Sequence, residues 1–239
     1  MRIPVYKSVY LYLTHACNAN CSFCYRRGLF ERNKISTLGP VKMSKQTADD
    51  ILEFCFARLN LDPKFTIYFW GGEPTVNFEV IRHVMEKYPQ MLFHMNTNGG
   101  RPAALAALAA AGLQGARIAL NSARAPAHAA YFRPRDFSLA DVEASIRIAV
   151  EAGCITSINL LVFPGVTDRP DELDAAIRLL RRTRPHMVQL RSLCMDPERY
   201  LAAIGPAGAG APIGMRKALD ALRQAVPGVR FGNFNELPR

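Results

Sequence analysis

Residues 66–87 read TIYFWGGEPTVNFEVIRHVMEK. The first five residues, Thr66 to Trp70, are β-branched and aromatic and signal a strand, whereas residues 78–87 are amphipathic and signal a helix. Between them, Gly71-Gly72 lets the backbone turn sharply and come close to a ligand, with carbonyls open to an ammonium group. Strand, turn and helix make one β/α unit, and the same order recurs along the chain. Residues 9–14, 91–97, 116–121, 155–163 and 187–192 read as further strands. Residues 45–59, 102–111, 139–152, 171–182 and 215–225 read as further helices. Ser44, Ser138 and the run from Asp168 to Asp171 stand where helix start signals are expected. Regular alternation with short links implies a parallel sheet with right-handed crossovers. Six such units form an open sheet or most of a barrel.

The bulk composition fits one large α/β domain. Of 239 residues, 49% are hydrophobic and 21% charged, which excludes a disordered chain and a membrane protein. The apolar stretch at residues 9–13 contains two tyrosines and is too short for a signal-peptide core, so a cytoplasmic address is expected. The formal charge of +10 suits nucleic acid, an acidic peptide or an anionic cofactor without choosing among them, and no aromatic-basic RNA motif supports nucleic acid. Residues 1–99 hold four alanines and six lysines, whereas residues 100–239 hold 28 alanines and one lysine, so the composition changes just after Asn98-Gly99. Uneven drift or a join of two related sequences explains such a change, and the β/α rhythm runs through it.

The first strand leads into THACNANCSFCY, residues 14–25. Cys17, Cys21 and Cys24 are spaced C-x3-C-x2-C among loop residues, and three thiolates on a loop can converge on one face of an iron-sulfur cubane. Three ligands leave one iron open to a substrate or cofactor. The other reading is zinc, held by Cys21 and Cys24 with His15 or a distant cysteine, although no second C-x2-C or H-x3-H is present. Cys55, Cys154 and Cys194 stand alone. The first two read as structural, and Cys194 is a candidate hydrogen-atom or electron donor, although a lone cysteine is usually a small buried hydrophobe.

Cys-x3-Cys-x-aromatic-Cys, with Phe23 in the aromatic slot, resembles the signature of the radical SAM superfamily. The Gly71-Gly72-Glu73-Pro74 turn, one β/α unit later, resembles that family's GGEP motif. The resemblance covers roughly residues 5–200. It implies a partial (β/α)6 TIM-like barrel with parallel strands, the core lying in residues 1–200 and a loop, helix and short tail in residues 201–239. It implies a 4Fe-4S cluster on Cys17, Cys21 and Cys24, with S-adenosylmethionine chelating the fourth iron. Reductive cleavage of the cofactor then gives a 5'-deoxyadenosyl radical that abstracts hydrogen from an organic substrate. The hard chemistry belongs to the cofactors, and the protein orients them and excludes water.

Further contacts to S-adenosylmethionine are implied for Phe23, Tyr25, Gly71, Gly72, Glu73, Pro74, Asn98, Asn121, Ser122, Arg133 and Leu161. Strand ends are often polar, however, Pro164-Gly165 makes an ordinary turn and Arg133 can be solvated. On the sixth strand Gln189 and Arg191 share one face, so Arg191 is expected inside the barrel, facing substrate, the cofactor or an internal carboxylate. The front half looks most like peptide-modifying members, which makes a peptide the first expectation for the substrate, ahead of a small metabolite or an RNA base. An electron donor such as flavodoxin or ferredoxin is implied. The chain has no cysteine after Cys194, whereas peptide-modifying relatives often carry a cysteine-rich C-terminal extension.

Overall fold

Seven strands form one parallel sheet in the computed structural model, which describes residues 4–22, 24, 42–193, 196–205 and 208–232. The strands are β1 (Tyr6–Tyr12), β2 (Leu61–Trp70), β3 (Leu92–Thr97), β4 (Gly115–Leu120), β5 (Ile155–Val162), β6 (Met187–Ser192) and β7 (Arg230–Gly232). Their spatial order follows the sequence from β1 to β7, and β1 does not pair with β7, so the sheet is open. The expected partial barrel of parallel strands is borne out, with a seventh strand, β7, added to the six expected. A strand of three residues has no periodicity to read, and β7 exists through its pairing with β6, where Arg230 lies opposite Met187 and Gly232 opposite Gln189.

Eight α-helices connect the strands among the described residues: α1 (Lys45–Arg58), α2 (Phe78–Lys87), α3 (Pro102–Ala110), α4 (Ala125–Phe132), α5 (Leu139–Glu151), α6 (Pro170–Thr183), α7 (Pro197–Ile204) and α8 (Met215–Ala225). Ser44 caps α1 by accepting from Thr47 N at 3.0 Å, and the Asp141 carboxylate closes the start of α5 on Ser138 N at 2.8 Å. The start expected in the run from Asp168 to Asp171 is borne out, with Arg169 at the N-cap and Asp171 in the first turn. Pro170 opens α6, while the Asp168 carboxylate accepts from Gly165 N at 2.6 Å and Gly214 N at 3.2 Å and so ties two loops together.

The core lies between the sheet and one layer of helices. Leu11, Ile67, Phe69, Phe93, Met95, Ile118, Ile158 and Val188 are buried there against Leu52, Val84, Leu108, Ile146, Leu179 and Leu222. Each such side chain contributes about 1.5–3 kcal/mol by leaving water. Strand alternation turns the intervening residues to the inner face, away from the helices. They include Tyr10, Tyr12, Tyr68, Trp70, Asn96, Arg117, Asn159 and Arg191. Most of these keep some exposure, while the outward residues between them have almost none.

Helices α4 and α7, absent from the sequence reading, pack against each other above the strand ends. Tyr131 and Tyr200 meet edge to face at 6.0 Å. The alanine-rich APAHAAYF of α4 has too little amphipathic contrast to read locally. The composition change at residue 99 falls in a tightly packed turn, where Ser145 donates to Gly99 O at 2.6 Å, so it marks no structural boundary. No helix among the described residues is long and apolar enough to cross a membrane.

Candidate functional site

The cysteine loop leaves the end of β1 and is held from below by the turn after β2. Leu13 N donates to Trp70 O at 2.8 Å, Gly72 N to Thr14 O at 2.7 Å and Glu73 N to Ala16 O at 3.0 Å. Gly71 adopts φ +144°, and a Cβ there would stand 2.7 Å from Thr14 O. A side chain at this position would push the two segments apart, which is why the turn requires glycine.

Glu73 organises the surrounding strand ends. Its side chain is 1% exposed. One carboxylate oxygen accepts from Thr75 N at 3.2 Å, Thr75 Oγ1 at 2.7 Å and Thr97 Oγ1 at 2.7 Å. The other accepts from Asn98 N at 2.8 Å. Burial raises its pKa above the usual carboxylate value, opposed by these hydrogen bonds from Asn98, Thr97 and Thr75. Asn98, next in line, donates from Nδ2 to Asn18 Oδ1 at 2.7 Å and accepts from Gly100 N at 2.8 Å. A chain of hydrogen bonds thus runs from the GGEP turn through the end of β3 into the cysteine loop.

The far side of the loop is zipped to the end of α4. Asn20 N donates to Phe132 O and Arg133 O at 3.0 Å, Ser22 N to Tyr131 O at 3.0 Å and Arg135 N to Asn18 O at 2.9 Å. Asn18 Nδ2 also donates to Asp136 Oδ1 at 3.0 Å. Arg133 ends α4 in the left-handed region, with φ +45°. Cys17, Cys21 and Cys24 are half-buried thiols on this fixed backbone, and Ala19 N donates to Cys17 Sγ at 3.4 Å. Among the described residues, no three His, Cys, Asp or Glu side chains converge as a single metal ion would require. Three thiols on a loop clamped from both sides suit an iron-sulfur cluster, whose ligands are thiolates.

The other expected residues divide into groups. Asn121 Nδ2 donates to Ala127 O at 3.2 Å, which anchors α4. Ser122 donates to Glu172 at 2.5 Å, and Glu172 also accepts from Ala123 N at 2.8 Å and Arg124 Nε at 3.0 Å. Leu161 packs with Phe163, Tyr131 and Tyr200 in a small apolar cluster over the ends of β5 and β6. Arg191 lies on the inner face and donates to Asn159 Oδ1 at 2.8 Å and Gln189 Oε1 at 3.1 Å. Pro74 opens a short 3-10 turn, Pro74–Asn77. Phe23, Tyr25 and Cys194 lie outside the described residues. Cys55 and Cys154 are buried, and Cys154 donates to Leu113 O at 2.9 Å.

Residues 11–180 match the model of the Radical SAM superfamily. The chain belongs to that superfamily. This radical SAM chain also resembles uncharacterized protein MJ0907 of Methanocaldococcus jannaschii, with 34% identity over 80 residues, 34% of this chain and 24% of that protein. Among solved structures, anSMEcpe with bound AdoMet and Kp18Cys peptide has a TM-score of 0.62 at 14% identity, over 81% of this chain and 52% of that one. Streptococcus suis SuiB bound to S-adenosylmethionine has a TM-score of 0.63 at 11% identity, over 97% of this chain and 51% of that one. The chain spans about half the length of these two structures and about a quarter of MJ0907. The cofactors of the radical SAM superfamily are a 4Fe-4S cluster and S-adenosylmethionine, and its three-cysteine motif is present here as Cys17, Cys21 and Cys24.

Several organising residues escaped the sequence reading. Asn18, Thr75, Thr97, Asp136 and Glu172 act through contacts between distant segments, which no local pattern reveals. Arg117 is different. It is the charged residue in the GARIAL strand, facing the side opposite Ala116, Ile118 and Leu120, and the alternation that placed Arg191 would have placed it too.

Proposed function

We propose that this radical SAM protein reductively cleaves S-adenosylmethionine and abstracts a hydrogen atom from an organic substrate, with a peptide as the first choice. The observation that carries the reading is the pair of hydrogen bonds from Gly72 and Glu73 to Thr14 and Ala16, which seats the GGEP turn against the cysteine loop. Cys17, Cys21 and Cys24 would hold three irons as thiolates. When bound, the reduced cluster and S-adenosylmethionine supply the 5'-deoxyadenosyl radical, with methionine as the other fragment. The backbone at Gly71 and Gly72 would approach the methionyl amino group, because no side chain intervenes there. Glu73 and Asn98 would act mainly by holding that backbone and the cysteine loop in register. Leu161 and Phe163 would give the adenine an apolar neighbour and keep water away.

Two observations favour a peptide. Similar solved structures include anSMEcpe with a Kp18Cys peptide and a further Streptococcus suis SuiB structure bound to precursor peptide SuiA, and the inner face of the open sheet keeps solvent access along β1, β2 and β4–β6. The test is anaerobic reconstitution with iron and sulfide, then reduction with S-adenosylmethionine. We expect 5'-deoxyadenosine from the natural chain and none above background from the Cys17→Ala, Cys21→Ala, Cys24→Ala variant. Equal amounts from both would refute the reading.

A further inference from the structure

We propose that two adjoining cavities between the ends of β5 and β6 and helix α8 form one groove that binds the peptide substrate away from its reacting residue. Apolar side chains of the peptide fill the cavities, and an acidic side chain meets Arg216. This rests on the radical SAM reading above, with a peptide as substrate, and adds where and by what chemistry that peptide is recognised.

The groove opens where the helix layer stops short of the strand ends. Ile158 and Val188 face the helices and are buried, whereas Val162 and Leu190, farther along the same faces of β5 and β6, are only half-buried. Helix α8 divides in the same way. Its Ala218 and Leu222 are buried against the core, while Met215 and Leu219 stay half-buried. Between these four half-buried residues lies a cavity of about 430 Å³, edged by Thr167, Arg216 and Arg223. A second cavity, of about 330 Å³, is lined by Phe163, Leu193 and Pro197. Val162 and Met215 line both, so the two adjoin there.

One end of the groove approaches the cysteine loop through an aromatic cluster. Phe163 and Leu193 pack with Leu161, Tyr131 and Tyr200, and Tyr131 O accepts from Ser22 N at 3.0 Å, between Cys21 and Cys24. The other end follows α8 as far as Arg223. From Met215 to Arg223 the helix advances about 12 Å, enough for about four residues of extended peptide.

The charge at the mouth selects an acidic partner. Arg216 is exposed and makes no ion pair among the described residues, while Arg223 pairs with Asp220 at 3.8 Å. The first turn of α8 contains no acidic residue and Gly214 offers no side-chain cap, so the positive end of the helix dipole adds to Arg216. The buried Asp168 carboxylate is turned to Gly165 N and Gly214 N. Thr167, Ser192 and Asp220 stand among the apolar lining and offer partners to a peptide backbone, whereas a plain hydrocarbon chain would cover them without pairing them. Apolar walls with a few polar groups at the rim are the make-up of a binding groove.

The probe is the peptide acetyl-Asp-Glu-Leu-Phe-Leu-Gly-amide, titrated by calorimetry into the reconstituted, unreduced protein with S-adenosylmethionine present. We expect saturable binding. A version with Asn-Gln in place of Asp-Glu, and one with serines in place of Leu-Phe-Leu, should each bind at least about tenfold more weakly. Arg216→Glu weakens the acidic peptide by at least about tenfold and Arg216→Lys by less. Lys217→Glu, at the exposed neighbouring position outside the cavity lining, changes it by less than about twofold. That contrast separates a placed contact from general charge attraction, and because both positions are exposed neither change disturbs the core. In methionine methyl NMR spectra the Met215 signal shifts with the peptide, whereas those of the buried Met85 and Met95 stay in place.

No binding of the acidic peptide, equal affinity for its neutral version, equal effects of Arg216→Glu and Lys217→Glu, tighter binding of decanoate, or an unmoved Met215 signal would each overturn the proposal. Formation of 5'-deoxyadenosine by the reduced natural chain without peptide tests the radical reading separately, since the calorimetry requires no turnover.

Discussion

Replacing Glu73 by glutamine tests whether this carboxylate organises the site or serves the cofactor directly. Four donors converge on it, and two of them, Thr75 N and Asn98 N, are backbone groups that cannot become acceptors. Whichever way the introduced amide is turned, its NH2 faces one of these two N–H groups, and the two threonine hydroxyls can rotate to accept. One buried backbone donor is left unsatisfied, which costs about 1–3 kcal/mol. Glu73→Ala strands both and opens a cavity, so its cost is about 3–6 kcal/mol. Denaturant unfolding of the cluster-free protein, followed through Trp70, should show both losses as a lower midpoint at an unchanged slope.

The pH dependence adds a sign. Because burial raises the folded pKa of Glu73 above its unfolded value near 4.5, the stability linked to this group is complete below about pH 4.5. It is lost as pH rises through the folded value. Glutamine has no such loss, so the gap between natural chain and Glu73→Gln should narrow as pH rises above about 4.5. An unchanged midpoint in Glu73→Gln together with a large loss of S-adenosylmethionine affinity would refute the organising role and make Glu73 a direct contact.

Gly71→Ala should cost about 2–4 kcal/mol, combining backbone strain with a weakened Gly72–Thr14 hydrogen bond, and should lower iron loading in reconstitution, read from the charge-transfer absorbance. Native-like loading and midpoint would show that the close approach is dispensable. Glu172→Ala leaves the Arg124 guanidinium and Ala123 N–H without their buried partner and should lower stability by about 3 kcal/mol, measured by the same unfolding curves. His128 on α4 is 1% exposed, and burial lowers its pKa to about 4. Its contribution is present above about pH 6.5 and lost as pH falls toward 4, by about 3 kcal/mol at the acid end. His128→Phe, which keeps the ring against Phe132, should flatten the stability profile between pH 6.5 and 4, and an unaltered profile would contradict neutral burial.

Much of the architecture is written in short stretches. Strand and helix periods in TIYFWGGEPTVNFEVIRHVMEK and its counterparts depend on neighbours a few residues away, so six strands and most helices were legible. The limits of β6, α2 and α8 came out as expected. The spacing of Cys17, Cys21 and Cys24 and the glycine pair also lie within single loops, which is why the cofactor chemistry could be read from residues alone.

Other features have no local signal. Strand β7 exists by pairing with β6, and α4 and α7 exist by packing on each other over the strand ends. The sequence marked Glu73 and Ser122 as residues beside the cofactor. Tertiary structure gave the first a four-donor cage and bound the second to Glu172, 50 residues away. It alone set Arg191 against Asn159 of the neighbouring strand, because the register of neighbouring strands, unlike the period within one strand, is decided by contacts between segments distant in the chain.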